Sequence, residues 1–255
     1  MTVVSARALD RYAPLHAIAR PAAMVGTALQ RSRHLRDCLP QTRERFAGHG
    51  RLERYASHTP IHRAGAPLDA LMVVIDGVME LSRIGPTGKR HLGSLLPPGQ
   101  LFGVIPLLDG RPSTHDAWAR GPVRVLHVPR ETVLQAMAED PGLSQALLAL
   151  LCARSRMMLD AISRQALDPL RARTAAAVRA VALARGTHDD GDLALRITQE
   201  DIADMLGVTR QSVNRELKAL EREGLIRIGK ATIEVCDAER LLAVAQARDP
   251  NDLSA

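Results

Sequence analysis

The stretch Ile197-Thr-Gln-Glu-Asp-Ile-Ala-Asp-Met-Leu-Gly-Val-Thr-Arg-Gln-Ser-Val-Asn-Arg-Glu-Leu217 reads as two short helices joined by a tight turn. Thr198 opens the first helix, and Asp201, three residues on, completes a capping-box arrangement in which each side chain satisfies the other residue's backbone amide. Ile202, Ala203 and Leu206 form the buried face. The small Ala203 lets a second helix cross closely, and Gly207 supplies the positive φ that a short inter-helix turn requires. Thr209 caps the second helix, whose inner face is Val213, Leu217 and Leu220. This leaves Arg210, Gln211, Asn214, Arg215 and Lys218 outside.

That outward set has the chemistry of a major-groove reader. Arginine presents a fork that matches guanine O6 and N7, glutamine bonds adenine bidentately, and the first residues of such a helix reach the base edges first. Thr198, Thr209 and Ser212 are placed to bond phosphates and fix the register. Downstream, the strand-like Leu225–Ile228, a turn at Gly229-Lys230 and Thr232–Val235 make a hairpin, the wing of a winged helix, with Lys230 in reach of the DNA backbone. The competing reading is a helical hairpin whose charges are merely solvated.

Upstream, Leu143 to Leu167 contains neither Gly nor Pro. Leu143, Leu147, Leu150, Met157 and Ala161 fall on one helical row, and Leu148, Leu151, Met158, Leu159 and Ile162 on a neighbouring one. One face suits its own domain and the other a twin helix across a two-fold axis, although Arg154 interrupts the first row. Asp168-Pro169 marks the boundary of the next helix, with Asp as cap and Pro in the first turn, and that helix runs from about Leu170 to Ala184. Residues 187–192 read as a loop.

Between residues 50 and 130 the texture is short apolar runs punctuated by Gly and Pro. Leu71–Ile75, Val78–Ser82, His91–Leu96 and Val123–Val128 read as strands, with turns at Asp76-Gly77, Gly85-Pro86-Thr87-Gly88 and Pro97-Pro98-Gly99. Leu35–Phe46 suggests a short helix, and residues 1–30 an aperiodic basic extension.

Of the 255 residues, 46% are hydrophobic and 24% charged, enough to build a core. The net charge of +6 favours an anionic partner. Residues 1–58 hold ten arginines against four acidic residues, so the whole surplus resides there rather than in the DNA head. The absence of a long apolar run or a secretory leader points to a soluble cytoplasmic protein without membrane contact. Cys38, Cys152 and Cys236 lie far apart without a C-x-x-C pair, so buried structural roles are expected for them and no metal site is assigned.

The head motif, above all Thr198-Gln-Glu-Asp-Ile-Ala and Thr209-Arg-Gln-Ser-Val-Asn-Arg-Glu-Leu-Lys-Ala-Leu-Glu221, resembles the Crp/Fnr family of transcription regulators, and the resemblance runs from about Leu35 to Val235. It implies an α+β fold: an N-terminal antiparallel β-roll of the cyclic-nucleotide-binding kind, a long dimerisation helix and a C-terminal winged helix-turn-helix. The implied divisions are a basic extension (1–32), a sensor-like roll (33–138), the dimer helix and hinge (139–168) and the DNA-binding domain (169–245). The implied partners are a second copy, palindromic double-stranded DNA with half-sites about 34 Å apart, and RNA polymerase. By position, Arg210, Gln211 and Arg215 match the family's base readers; Gln211 stands where a glutamate is usual, which alters or relaxes recognition at that base pair.

The family's phosphate-binding cassette falls on Leu101–Trp118. After Gly103 the resemblance calls for a ribose-binding glutamate, but Val104 is present; where an Arg-Ser pair would hold the phosphate stand His115 and Asp116. A carboxylate repels a phosphate and valine bonds no hydroxyl. Met157 and Met158 occupy dimer-helix positions where hydroxyl side chains would meet adenine. These departures argue against conventional cyclic AMP binding, with Arg111 the one residue that a rearranged loop could turn to a phosphate. Another effector, such as a modified nucleotide or a haem-bound gas, stays open, and His62, His91 and His115 are candidate haem ligands. A ligand-binding regulatory module without DNA activity is the alternative class. An enzyme finds no support, since no nucleophile elbow, P-loop, zinc-protease or dinucleotide fingerprint occurs.

Overall fold

Val25 and Leu29, one helical turn apart, are both buried and set the first element, α1 (Ala22–Arg31), within the segment whose sequence suggests an unstructured extension. The computed structural model describes residues 22–185, 197–229 and 232–246. A bend follows in which Leu35 and Cys38 are buried, and α2 (Pro40–His49) then starts with proline in its first turn, where a missing N–H costs nothing. One helix expected over Leu35–Phe46 is thus a bend and a later helix.

The chain divides into two units: Met1–Leu81 with Leu96–Leu148, and Ser82–Leu95 with Ala149–Ala255. The strands before residue 130 are β1 (Arg51–Tyr55), β2 (Pro60–His62), β3 (Ala70–Ile84), β4 (Arg90–Leu96), β5 (Leu101–Phe102) and β6 (Asp116–Pro129), with α3 (Val104–Asp109) before β6; all lie in the first unit except the last three residues of β3 and all of β4 but Leu96, which belong to the second. The strand order is β1-β6-β3-β4, with β2 also on β6 and β5 on β3. β1 and β6 are antiparallel, Leu52 opposite Leu126 and Tyr55 opposite Val123. The alternation of side chains gathers Met72, Val74, Met79, Phe102, Ala119 and Val125 into one core. Nothing about β1, β2 or β5 is legible in the sequence, because β1 and β2 are short and half-polar and β5 is only two residues long.

Asp76-Gly77 does not end a strand. β3 runs through it for 15 residues, with Gly77 at φ +75° inside the strand. A Cβ there would lie 2.2 Å from the Pro122 carbonyl oxygen, so the glycine is required by close approach of backbone rather than by a hairpin.

At the far end of the sheet α4 (Arg130–Glu139) leads to α5 (Pro141–Leu167). Between them Asp140, almost fully buried, accepts hydrogen bonds from Leu39 N (2.9 Å), Thr42 Oγ1 (2.7 Å) and Leu143 N (3.2 Å). Burial alone would raise its pKa, but these bonds outweigh burial and hold the carboxyl below its ordinary range. On β1 and β6 a second polar knot forms: Tyr55 OH donates to Glu53 Oε2 at 2.5 Å and lies 3.0 Å from His127 Nε2. Burial pushes the His127 pKa down to about 4.

In the second unit, α6 (Leu170–Arg185), α7 (Gln199–Leu206), α8 (Arg210–Arg222), β7 (Ile226–Ile228), β8 (Ile233–Val235) and α9 (Ala238–Gln246) close on Val178, Ile202, Ala203, Val213, Leu217, Ile226 and Leu241. Pro169, not Asp168, stands at the cap position of α6, its carbonyl accepting from Arg173 N at 3.1 Å; Asp168 pairs instead with Arg164 at 3.5 Å. The expected loop at 187–192 lies outside the described residues.

α5 changes character along its length. Leu143, Leu147 and Leu150 are buried, whereas Met157, Met158, Leu159 and Ile162 are each about three-fifths exposed, so the first apolar row is not uniform. Cys38 is buried as expected, and burial pushes its thiol up to about 11. Cys152 and Cys236 are exposed, one on the open side of α5 and one just past β8, so a buried role holds for neither. Among the described residues no helix is long and apolar enough to cross a membrane.

Candidate nucleic-acid interface

Two caps set the reading head. Thr198 Oγ1 accepts from Asp201 N at 3.1 Å while Asp201 Oδ2 accepts from Thr198 N at 2.9 Å, forming the reciprocal box that starts α7. Gly207, at φ +69°, ends it in the left-handed region that an L side chain avoids. Thr209 Oγ1 then accepts from Ser212 N at 3.2 Å, and α8 begins at Arg210. Val213, Leu217 and Leu220 are completely buried, which fixes the rotation of α8 about its axis.

With that rotation fixed, Arg210, Gln211, Arg215 and Lys218 are exposed on the opposite side. Arg215 Nε contacts Glu216 Oε1 at 3.2 Å, yet three quarters of the Arg215 side chain remains open. Asn214 differs: it is half-buried and its Oδ1 is sequestered without a partner, so it turns partly inward. The hydroxyls are also more committed than their positions suggest. Thr198 Oγ1 donates to Asp201 Oδ2 at 2.9 Å, and the Thr209 and Ser212 hydroxyls bond each other at 2.9 Å. At the start of α7, the groups left to meet an anion are the first backbone amides of the helix, which have no partner within it.

The wing is the β7–β8 pair, Ile226 opposite Val235, closed by Gly229 N to the Thr232 carbonyl at 2.8 Å. Lys230, the expected backbone contact, lies outside the described residues. Several residues that position this surface escape sequence reasoning. Glu221 Oε1 accepts from Ile228 N at 2.7 Å and fastens the wing to α8. Arg171 grips both carboxylate oxygens of Glu223, at 2.6 and 2.8 Å, and Arg173 donates to the Leu206 carbonyl at 2.9 Å. Arg90 bonds Asp201 and Asp204. The partners of Arg171, Arg173 and Arg90 lie 33 or more residues away in sequence, so no local pattern betrays those pairs.

The cassette positions lie differently. Gly103 caps α3 at φ +93°, and a Cβ there would be 2.8 Å from the Ala70 carbonyl oxygen. Val104 is 1% exposed, packed into the core. Asp116 is buried and its Oδ1 accepts from Ala64 N at 3.0 Å; His115 Nδ1 is 2.8 Å from Thr114 Oγ1. Arg111 is exposed, with its backbone N–H donated to Asp109. Met157 and Met158 are open on α5. Of the three histidines, burial lowers the pKa of His62, whose Nε2 is buried without a partner, and His91 Nδ1 donates to the Asp204 carbonyl at 3.0 Å. No group of three or more His, Cys, Asp or Glu side chains that could hold a metal ion occurs among the described residues.

Comparison with known proteins fits this geometry. Residues 172–244 match the Crp-like helix-turn-helix domain and residues 52–140 the cyclic nucleotide-binding domain. The chain is 33% identical over 194 residues to the cyclic AMP receptor protein of Thermus thermophilus, covering 75% of this chain and 86% of that protein. It is 29% identical over 186 residues to the CRP-like cAMP-activated global transcriptional regulator of Mycobacterium tuberculosis, covering 72% and 83%. In fold it is similar to FixK2 from Bradyrhizobium japonicum, with a TM-score of 0.67 at 24% identity, over 78% of this chain and 98% of that one.

Proposed function

The chain belongs to the Crp/Fnr family of transcription regulators and carries that family's DNA-binding helix-turn-helix, and we propose that it acts as a homodimer on palindromic double-stranded DNA, working through RNA polymerase without a conventional cyclic AMP response. The observation that carries the reading is the doubly capped α7-turn-α8 with Arg210, Gln211, Arg215 and Lys218 exposed on one side. A twin copy is the natural occupant of the open face of α5, where Leu148, Met157, Met158, Leu159 and Ile162 would otherwise remain in water. Two-fold symmetry then brings two reading helices to half-sites one helical turn apart.

The cyclic AMP side of the proposal rests on Val104 and Asp116. The first is sealed in the core, and the second spends its carboxylate on the Ala64 amide, leaving neither to meet a ribose or welcome a phosphate. The test is selection from a random DNA library with purified protein, without and with cyclic AMP. A palindrome enriched equally in both arms supports the reading; a motif that appears only with cyclic AMP removes its second half. A folded protein that enriches nothing in either arm overturns the first.

A further inference from the structure

Resting on the DNA-reading assignment, we propose that the hairpin joining β3 to β4 is an electrostatic latch on α7, which the DNA backbone must displace. The hairpin segment Ser82–Leu95 and the reading head lie in the same unit. Its turn is closed by Gly85 N to the Lys89 carbonyl (2.9 Å) and Gly88 N to the Gly85 carbonyl (3.0 Å), which present Lys89, Arg90 and His91 in sequence.

All three engage α7 or the turn that ends it. Arg90 donates from one nitrogen to Asp201 Oδ1 at 2.8 Å and from Nε to Asp204 Oδ2 at 2.9 Å, bridging carboxylates one turn apart. His91 reaches the Asp204 carbonyl, and Lys89 Nζ donates to the Gly207 carbonyl at 2.7 Å, at the negative end of the helix. The Asp201 and Asp204 side chains are only 8% and 20% exposed, so these ion pairs are better shielded from water and salt than ordinary surface pairs.

The latch is placed to oppose DNA without hiding the reader. A cleft of about 510 Å³ lies between Gly88–Arg90 of the hairpin and Thr198 and Glu200 at the start of α7. This is the helix end whose first amides are left to meet an anion. A duplex backbone arriving there meets the hairpin turn, and its phosphates compete with Asp201 and Asp204 for Arg90 and Lys89. Arg210, Gln211 and Arg215 stay exposed throughout, so the latch lowers the population of heads that can seat fully rather than masking the bases' reader.

The experiment measures binding of the full chain to its selected palindrome by fluorescence anisotropy, alongside amide hydrogen exchange of free and DNA-bound protein. Arg90→Ala is expected to raise affinity at least about fivefold, the low end for coupled conformational equilibria. Losing a cation ordinarily weakens DNA binding, so a rise has the opposite sign to simple charge loss. Lys89→Ala, which removes only the contact with Gly207, should give a smaller rise and guards against misfolding of the first variant. Exchange in the hairpin and α7 should quicken in free Arg90→Ala, and in the wild-type hairpin when DNA binds. Unchanged or lower affinity in both variants overturns the latch, as does a hairpin that becomes more protected in the DNA complex. Should the wild type bind no DNA, the reading head assignment fails on its own, and unchanged exchange in free Arg90→Ala then rejects the latch independently.

Discussion

The cassette around Gly103 and the head around Gly207 use the same backbone device: a glycine with positive φ, at +93° and +69°, marks the join between a helix and its neighbouring element. What surrounds the glycine differs. At Gly207 the following helix keeps its apolar side chains inside and offers four polar ones to the exterior. At Gly103 the next side chain is a buried valine, and the acid further along is turned to a backbone amide of its own unit. A binding scaffold can therefore keep its main-chain shape while its side chains withdraw from ligand chemistry, and the two must be read separately.

Four substitutions would break or sharpen this contrast. The largest effect belongs to the core that aims α8: Leu217→Ala should destabilise the head by about 2–5 kcal/mol, seen as a lowered denaturation midpoint with loss of DNA binding, while the first unit keeps its own transition. Next comes acid. His127 is held neutral by burial, so the unfolded chain binds an extra proton between about pH 6.5 and 4 and stability falls as pH drops through that window. The loss should be on the order of 3 kcal/mol, in the first unit, and His127→Gln should flatten the acid limb of its stability profile; an unchanged limb would show that the polar knot on β1 and β6 is not the cause. The smallest is local to recognition. Arg210→Ala should cost about 1–3 kcal/mol on the preferred site and relax one base position, whereas Lys218→Ala should weaken all sequences alike. Equal, sequence-blind losses for both would remove Arg210 from the base readers.

How much of this was legible follows the range of the interactions. The head declares itself because its determinants are local: Thr198 with Asp201, Gly207, Thr209 and the spacing of Val213, Leu217 and Leu220 all sit within 23 residues. The long helix is visible for the same reason. The sheet is harder. Asp76-Gly77 resembles a hairpin turn, but the residue that requires the glycine is Pro122, across the sheet. β1 and β2 owe their existence to pairing with β6, not to their own alternation. Within the site, Asn214 was expected outside with its neighbours, and its half-buried amide shows how coarse a helical wheel is at the edge of a face. Arg171, Arg173 and Arg90 read as undifferentiated basic residues until their distant acceptors are known.

Asp140 bears on time as well as on structure. Its bonds to Leu39 and Thr42 span 101 and 98 residues of chain, and β1 waits for β6 across a shorter but still long separation, Arg51 opposite His127. Loops of that length close slowly, because their entropy must be surrendered before any contact rewards it. During synthesis, β1 therefore remains without its partner until β6 has been made, and Leu39 and Thr42 without theirs until the chain has grown past Asp140. The head, whose contacts are nearer in sequence, needs no such wait, and a part of the protein made later is among the quicker to fold.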